Sequence, residues 1–206
     1  MKSKKANIFF LSVLILLLIT LLYVGYIINM KAEISNSVLR LHIIGADDST
    51  HAQELKINVR DRILYDFSEL FKNSTSRSDA VALAKIYKSK IENAANDELS
   101  KRGSCDRASV EIGNCKFPTK TYGNISLPNG RYTAINIKIG NAVGKNWWCV
   151  MYPPLCISDK SVTFNDESRS KLKQSLSAEE YKLITDSDSF DIKIKFRIAE
   201  ILGEIF

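Results

Sequence analysis

The sequence predicts an α+β fold: a single domain with an early helical hairpin packed on one face of an antiparallel sheet, preceded by one N-terminal transmembrane or signal helix. Three observations predict it. An uncharged apolar run occupies residues 8–28. Two stretches with apolar residues about four apart follow it, and segments of period-two alternation come after those. Helices segregated in sequence from the strands belong to the α+β class rather than to alternating βαβ units.

The apolar run follows Lys2, Lys4 and Lys5 and is long enough to span a bilayer. The lysines predict a cytoplasmic N-terminus, so the rest of the chain is exported. A signal peptide usually has a shorter apolar core and a small-x-small cleavage site, and residues 26–31 offer none. An uncleaved anchor is therefore the favoured reading, with cleavage near Ala32 as the alternative. The expected boundaries are 1–30 for the lysines and membrane segment, 31–37 for a polar tether, and 38–206 for the exported domain.

Val38 to Ile44 alternates as a strand. Asp47-Asp48-Ser49 is turn chemistry, and Thr50-x-x-Gln53 is a capping box for a helix to Lys72. Leu55, Val59, Ile63, Phe67 and Phe71 form that helix's apolar stripe. Ser76-x-x-Asp79 caps a second helix, whose inner residues are Ala80, Ala84, Tyr87, Ile91 and Ala94 and which Gly103 stops. A few polar residues between two helices predict an antiparallel hairpin.

Alternation in Arg107 to Phe117 slips at Gly113-Asn114, which predicts a bulge. Pro118 to Gly130 reads as a connection, and Arg131 to Ile139 as a strand with Ile135, Ile137 and Ile139 on one face. Asn146 to Met151 is expected as an adjacent antiparallel strand. Ser158 to Arg169 reads as a polar loop, and Ser177-Ala-Glu-Glu180 caps a short helix to about Ile184. The tail 191–206 carries both strand and helix spacing and is read as helix.

Charge excludes little. Of 29 Lys and Arg, three lie in the N-terminal segment, leaving 26 against 23 acidic residues. No run of four basic residues supports nucleic-acid binding. No cofactor or small-molecule ligand is expected.

Residues 145–157 stand out, because they hold both tryptophans, two of the four cysteines and two of the four prolines. Trp147, Trp148, Tyr152, Pro153 and Pro154 make an aromatic, stiff segment, suited to a buried corner or to a partner surface. Export favours disulfides, and pairing neighbours gives Cys149 with Cys156 and Cys105 with Cys115, although four cysteines permit three pairings. Zinc is the rival, but the spacings are not those of paired C-x-x-C knuckles.

Two chemical readings compete with a binding role. His42 and His51 flank Asp47 and Asp48, a pattern open to metal binding or acid-base work. The plain alternative is that the aspartates complement the positive end of the following helix. Cys149 as a nucleophile needs a histidine within reach and a reduced state, and Cys156 nearby argues against it. Lys56 and Arg60 lie four apart beside the apolar stripe, where they either meet a partner or form a solvated flank. No nucleophile elbow or phosphate loop is present.

With those stretches in view the chain resembles the stage II sporulation protein R family of endospore-forming bacteria. The segments that carry the resemblance are Arg40-Leu-His42-Ile-Ile, Asp48-Ser49, Gln53-x-x-Lys56-x-x-Val59-Arg60-Asp61 and Phe117-Pro-Thr-Lys-Thr-Tyr122-Gly123. Leu127-Pro-x-Gly130-x-Tyr132, Lys145-Asn146-Trp-Trp-Cys-Val and Pro153-Pro-Leu-Cys156 complete them. Residues 38–157 are covered. Gly45-Ala46-Asp47 departs from the Ala-Asn-Ser usual there, and Cys105 and Cys115 look like additions to the family pattern.

The resemblance implies a protein made in the forespore, exported into the space between two membranes, and required to activate a membrane-embedded aspartic protease of the mother cell. That protease processes the sigma-E precursor. The polar residues of the matching segments are Arg40, His42, Asp48, Lys56, Arg60, Asp61, Tyr122 and Asn146. The alternative function is an exported cell-envelope hydrolase or protease working through His42, Asp48 and His51.

Overall fold

Leu39, Leu41 and Ile43 alternate with Arg40 and His42 along one strand, and all five are buried. A strand buried on both faces needs neighbours on both edges and layers above and below. The computed structural model describes residues 2–155 and 166–185, and in it this strand is an inner one.

The chain divides into two compact units, one containing residues 1–33 with 188–206, the other Ile34–Ser187. The described part of the first unit is the helix α1 (Lys2–Asn36) up to Glu33. Apolar side chains such as Phe9, Leu14 and Leu22 are exposed along it, and it is long and apolar enough to cross a membrane. Residues 31–36, expected as a tether, continue this helix.

The second unit continues with β1 (Leu39–Ile44), α2 (Thr50–Lys72), α3 (Arg77–Ile86), α4 (Lys88–Lys101) and β2 (Ala108–Phe117). Then come β3 (Lys120–Tyr122), β4 (Ile125–Leu127), β5 (Gly130–Ile139), β6 (Asn146–Tyr152), α5 (Asp166–Ser175) and α6 (Ala178–Thr185). The class is α+β, as expected. The main sheet has the order β2-β5-β1-β6 and is mixed rather than wholly antiparallel, since β1 runs parallel to β5 and antiparallel to β6. β6 was expected beside β5. Instead β1 lies between them.

One face of the sheet carries Leu39, Leu41, Ile43, Val110, Ile135, Ile137, Ile139, Cys149 and Met151, which pack with the stripe of α2 and with α3 and α4. All five stripe residues of α2 are buried. Its N-cap is Ser49, one residue before the expected Thr50, with the Ser49 hydroxyl accepting from the Ala52 N–H at 3.2 Å. The second predicted helix is two, α3 and α4, meeting at Tyr87. Ser76 caps α3 as its spacing indicated, and α4 ends at Gly103, whose φ of +70° closes the helix with bonds from Gly103 N to Ser100 O and from Ser104 N to Leu99 O.

The opposite face is covered too. Phe117, Tyr132, Ala134 and Val150 of the sheet pack with Tyr122, Ile125 and Leu127 of the β3–β4 ribbon, and with Leu172 of α5, Leu176 just after it and Ile184 of α6. The predicted bulge at Gly113-Asn114 is absent: β2 pairs with β5 in unbroken register from Ala108 to Phe117. The slip has another cause. Ala108 and Val110 are buried against the helical layer, and Phe117 against the other layer, so burial changes sides along one regular strand.

The stretch read as a connection, 118–130, holds the β3–β4 ribbon, turned at Gly123 with φ +58°. Helix α5 begins inside the expected polar loop, and α6 starts with a reciprocal capping box between Ser177 and Glu180. The reading of 191–206, the rest of 158–165, and Cys156 lie outside the described residues.

Candidate functional site

Strand β6 is held residue by residue by the polar side chains of the motif segments. Lys145, just before it, is fixed through both peptide groups: its N–H donates to Asp48 Oδ1 at 2.7 Å, and its carbonyl accepts from Lys56 Nζ at 2.9 Å. Lys56 also donates to Gln53 Oε1 at 2.5 Å. Burial pushes the Lys56 ammonium below its ordinary pKa, Asp48 opposes the shift, and Lys145 and Arg60 add to it.

Asn146 accepts through Oδ1 from His42 Nε2 at 2.7 Å. Trp147 points to the helical face, where the Arg60 guanidinium lies 4.4 Å from its ring centre and is itself held by Asp61 at 2.6 Å. Trp148 points to the other face and stacks on His42, with ring centres 3.8 Å apart and planes 10° from parallel. Adjacent strand residues face opposite sides, so each tryptophan packs a different core. Both remain half-buried.

Deeper in the same face, Arg40 holds the Cys149 carbonyl directly and reaches the Trp148 carbonyl through Tyr122. Its Nε donates to Cys149 O at 2.8 Å and its Nη2 to Tyr122 Oη at 2.7 Å, while Tyr122 donates on to Trp148 O at 3.1 Å. The guanidinium is fully buried, with the rings of Phe117, Tyr132 and Tyr122 at 4.3, 4.9 and 5.5 Å. No carboxylate pairs with it among the described residues, and its Nη1 has no hydrogen-bond partner. Burial lowers its pKa, and the nearby Tyr122 and Tyr132 oppose that shift. Burial likewise raises both tyrosines. Aromatic faces and carbonyl oxygens thus stand in for a counter-ion.

Burial also pushes the His42 imidazole below its usual pKa, against the bond to Asn146. His42 faces the layer of Phe117 and Trp148, whereas His51 is exposed on the first turn of α2, which covers the opposite face. Asp48 is spent on the Lys145 N–H. The His42, Asp48 and His51 grouping is therefore not a single site, and the described residues contain no metal-binding cluster of three.

Tyr152 and Pro153 are buried and Pro154 is half-buried, so Tyr152 and Pro153 do not extend the exposed surface of the tryptophans. Cys105 and Cys115 are free thiols, contrary to the expected pair. Ala108 and Cys115 are about 23 Å apart along the extended strand, and the three residues between Cys105 and Ala108 span at most about 10 Å, too little to bring the two cysteines within disulfide reach. Cys149 is buried and, among the described residues, is the cysteine that is not a free thiol.

Phe117 and Tyr132 belong to the site although composition and spacing did not single them out, and Gln53, read only as a capping residue, holds Lys56. Their signal was membership of the same short segments as Lys56, Tyr122 and Gly130.

A family model described as Stage II sporulation protein R matches residues 35–162. Among curated proteins, the Stage II sporulation protein R of Bacillus subtilis (strain 168) is 31% identical over 191 residues, covering 86% of this chain and 85% of that protein. No solved structure matches.

Proposed function

The chain belongs to the stage II sporulation protein R family, and from that membership, which gives it a role in sporulation, we propose that it is a non-enzymatic intercellular signal. It is made in the forespore, exported into the space between the two membranes and anchored there by α1. It activates the membrane-embedded aspartic protease of the mother cell that processes the sigma-E precursor. Activation follows from tighter binding to the protease's active state than to its inactive one.

One observation carries this reading. The polar residues of the motif segments converge on Lys145 to Cys149 and leave Trp147 and Trp148 fixed yet half-exposed. Such pre-organisation lowers the ordering cost of binding a partner. A Cys149–Cys156 disulfide belongs to the proposal as a clip closing the segment after β6. Support comes from Cys149 not being free while Cys105 and Cys115 are.

Deleting the gene and assaying sigma-E precursor processing and spore yield tests the function. The proposal expects unprocessed precursor and few spores, and normal processing contradicts it. Replacing His51 separates this from the hydrolase alternative, because His42 itself holds Asn146 and stacks on Trp148. Loss of His51 alone should leave signalling intact, whereas an enzyme dependent on that residue would fail.

A further inference from the structure

Strand β2 is an edge of the main sheet, whose order is β2-β5-β1-β6. It is regular over its 10 residues, so its backbone groups point alternately at β5 and away from it. Arg107 faces β5, since its carbonyl accepts from Gly140 N at 2.9 Å. Ala108 and Val110 face outward, to side chains of α4. Ala108 N donates to Asn96 Oδ1 at 2.9 Å, Asn96 Nδ2 donates back to Ala108 O at 3.0 Å, and Val110 N donates to Glu92 Oε2 at 2.9 Å. Helix α4 thus closes the start of the edge and goes no further. The N–H and C=O groups of Ile112, Asn114 and Lys116 point the same way and have no partner among the described residues. Asn114 and Lys116 are exposed, and Ile112 is half-buried. Pro118, which has no N–H, ends the open stretch.

An uncapped edge without a bulge is a template for another strand, and its layout selects which one. Val110 and Pro118 lie equally far along the chain from Asn114. A two-fold axis at Asn114 pairs Asn114 with its own copy and Ile112 with Lys116 of the copy, each pair exchanging both backbone bonds. The next pair is Val110 with Pro118, where one donor is already held by α4 and the other does not exist. The ladder therefore ends there without stranding a donor. Lys116 faces an isoleucine and not a second lysine, so like charges do not oppose each other. On the other face Cys115 falls opposite Gly113, where a Cβ would meet nothing within 4 Å and the thiol has room. We propose that β2 pairs antiparallel with β2 of a second copy of this chain about an axis at Asn114, joining two four-stranded sheets into one. The inference goes beyond the signalling role and does not rest on it.

In this register the two Cys115 residues are diagonal neighbours, about 7–8 Å apart, within reach of a short bis-maleimide. The test uses the full chain carrying Cys105→Ser, in a large excess of neutral maltoside micelles, treated with ortho-phenylenedimaleimide and followed by denaturing gel and by sedimentation velocity. A cross-linked dimer should form, and adding Cys115→Ser should abolish the cross-link. Asn114→Pro removes the N–H at the axis, which an edge strand tolerates. Gly113→Lys enters open space in the single chain but meets Cys115 of the copy. Each should cut the cross-linked fraction at least tenfold, and Gly113→Lys should keep the wild-type melting temperature, so its loss of pairing cannot be charged to unfolding. A chain that sediments as a monomer and gives no cross-link overturns the proposal and leaves the edge for a strand of a different protein. Cross-linking unchanged in both variants overturns it as well, by placing the association elsewhere. Sigma-E processing reports the signal separately, so a failure of that reading leaves this result unmoved.

Discussion

Arg40 combines two costs that usually exclude a residue from a core, a full charge and no acid partner among the described residues, and offsets them with the Cys149 carbonyl, the Tyr122 hydroxyl and ring faces. Truncation to alanine removes the Arg40 bonds to Cys149 O and Tyr122 Oη, leaving Tyr122 with its bond to Trp148 O, and opens a cavity. Arg40→Met refills most of the volume and removes the buried charge. Denaturant unfolding should therefore show Arg40→Ala losing about 3–5 kcal/mol and Arg40→Met markedly less, about 1–2 kcal/mol. Equal losses would mean that the charge, not the packing, sets the stability. His42 gives a pH signature. Its folded pKa is depressed below the unfolded value near 6.5, so the unfolded state binds the proton more readily. Stability is then full above the unfolded value and falls as pH drops through it toward the folded pKa. His42→Phe should flatten that part of a stability-versus-pH curve measured between pH 7.5 and 5, while His51→Phe should not.

Elements show how much was legible in the sequence. The α2 stripe and the Ser76 cap follow from local spacing, and the structure has them where the spacing put them. The alternation of Val38 to Ile44 shows a strand, but only tertiary context shows that a second layer covers its Arg40 and His42 face. The β1–β5 parallel pairing is likewise invisible locally, since period-two alternation states that a strand exists and not which strand lies beside it. The break at Tyr87 left the helical period intact and so left no mark.

The loop entering β6 depends on close backbone approach. A Cβ at Gly144 would lie 2.2 Å from Asp47 O, whereas one at Gly113 meets nothing within 4 Å. Thermal melts should show Gly144→Ala losing roughly 2 kcal/mol or more through overpacking, with Gly113→Ala within about 0.5 kcal/mol of wild type. Similar melting for both would remove the close approach from the account.

For the whole molecule, export and redox state are readable through the thiols. If Cys149 is bonded to Cys156, the denatured, unreduced chain should titrate with two thiols, those of Cys105 and Cys115. In the native chain exposed Cys105 should react faster than half-buried Cys115, whose pKa burial raises. Four reactive thiols would exclude the disulfide.

The architecture as a whole presents one strand fixed from both faces of the sheet, with a tryptophan on each. If that strand is the signalling surface, removing a ring should silence the signal without removing the protein. The direct measurement is sigma-E precursor processing in sporulating cells carrying Trp147→Ala or Trp148→Ala, with export and abundance of each variant verified. The account predicts that processing is lost while the exported protein persists. Normal processing by a stable, exported variant of both tryptophans would contradict it.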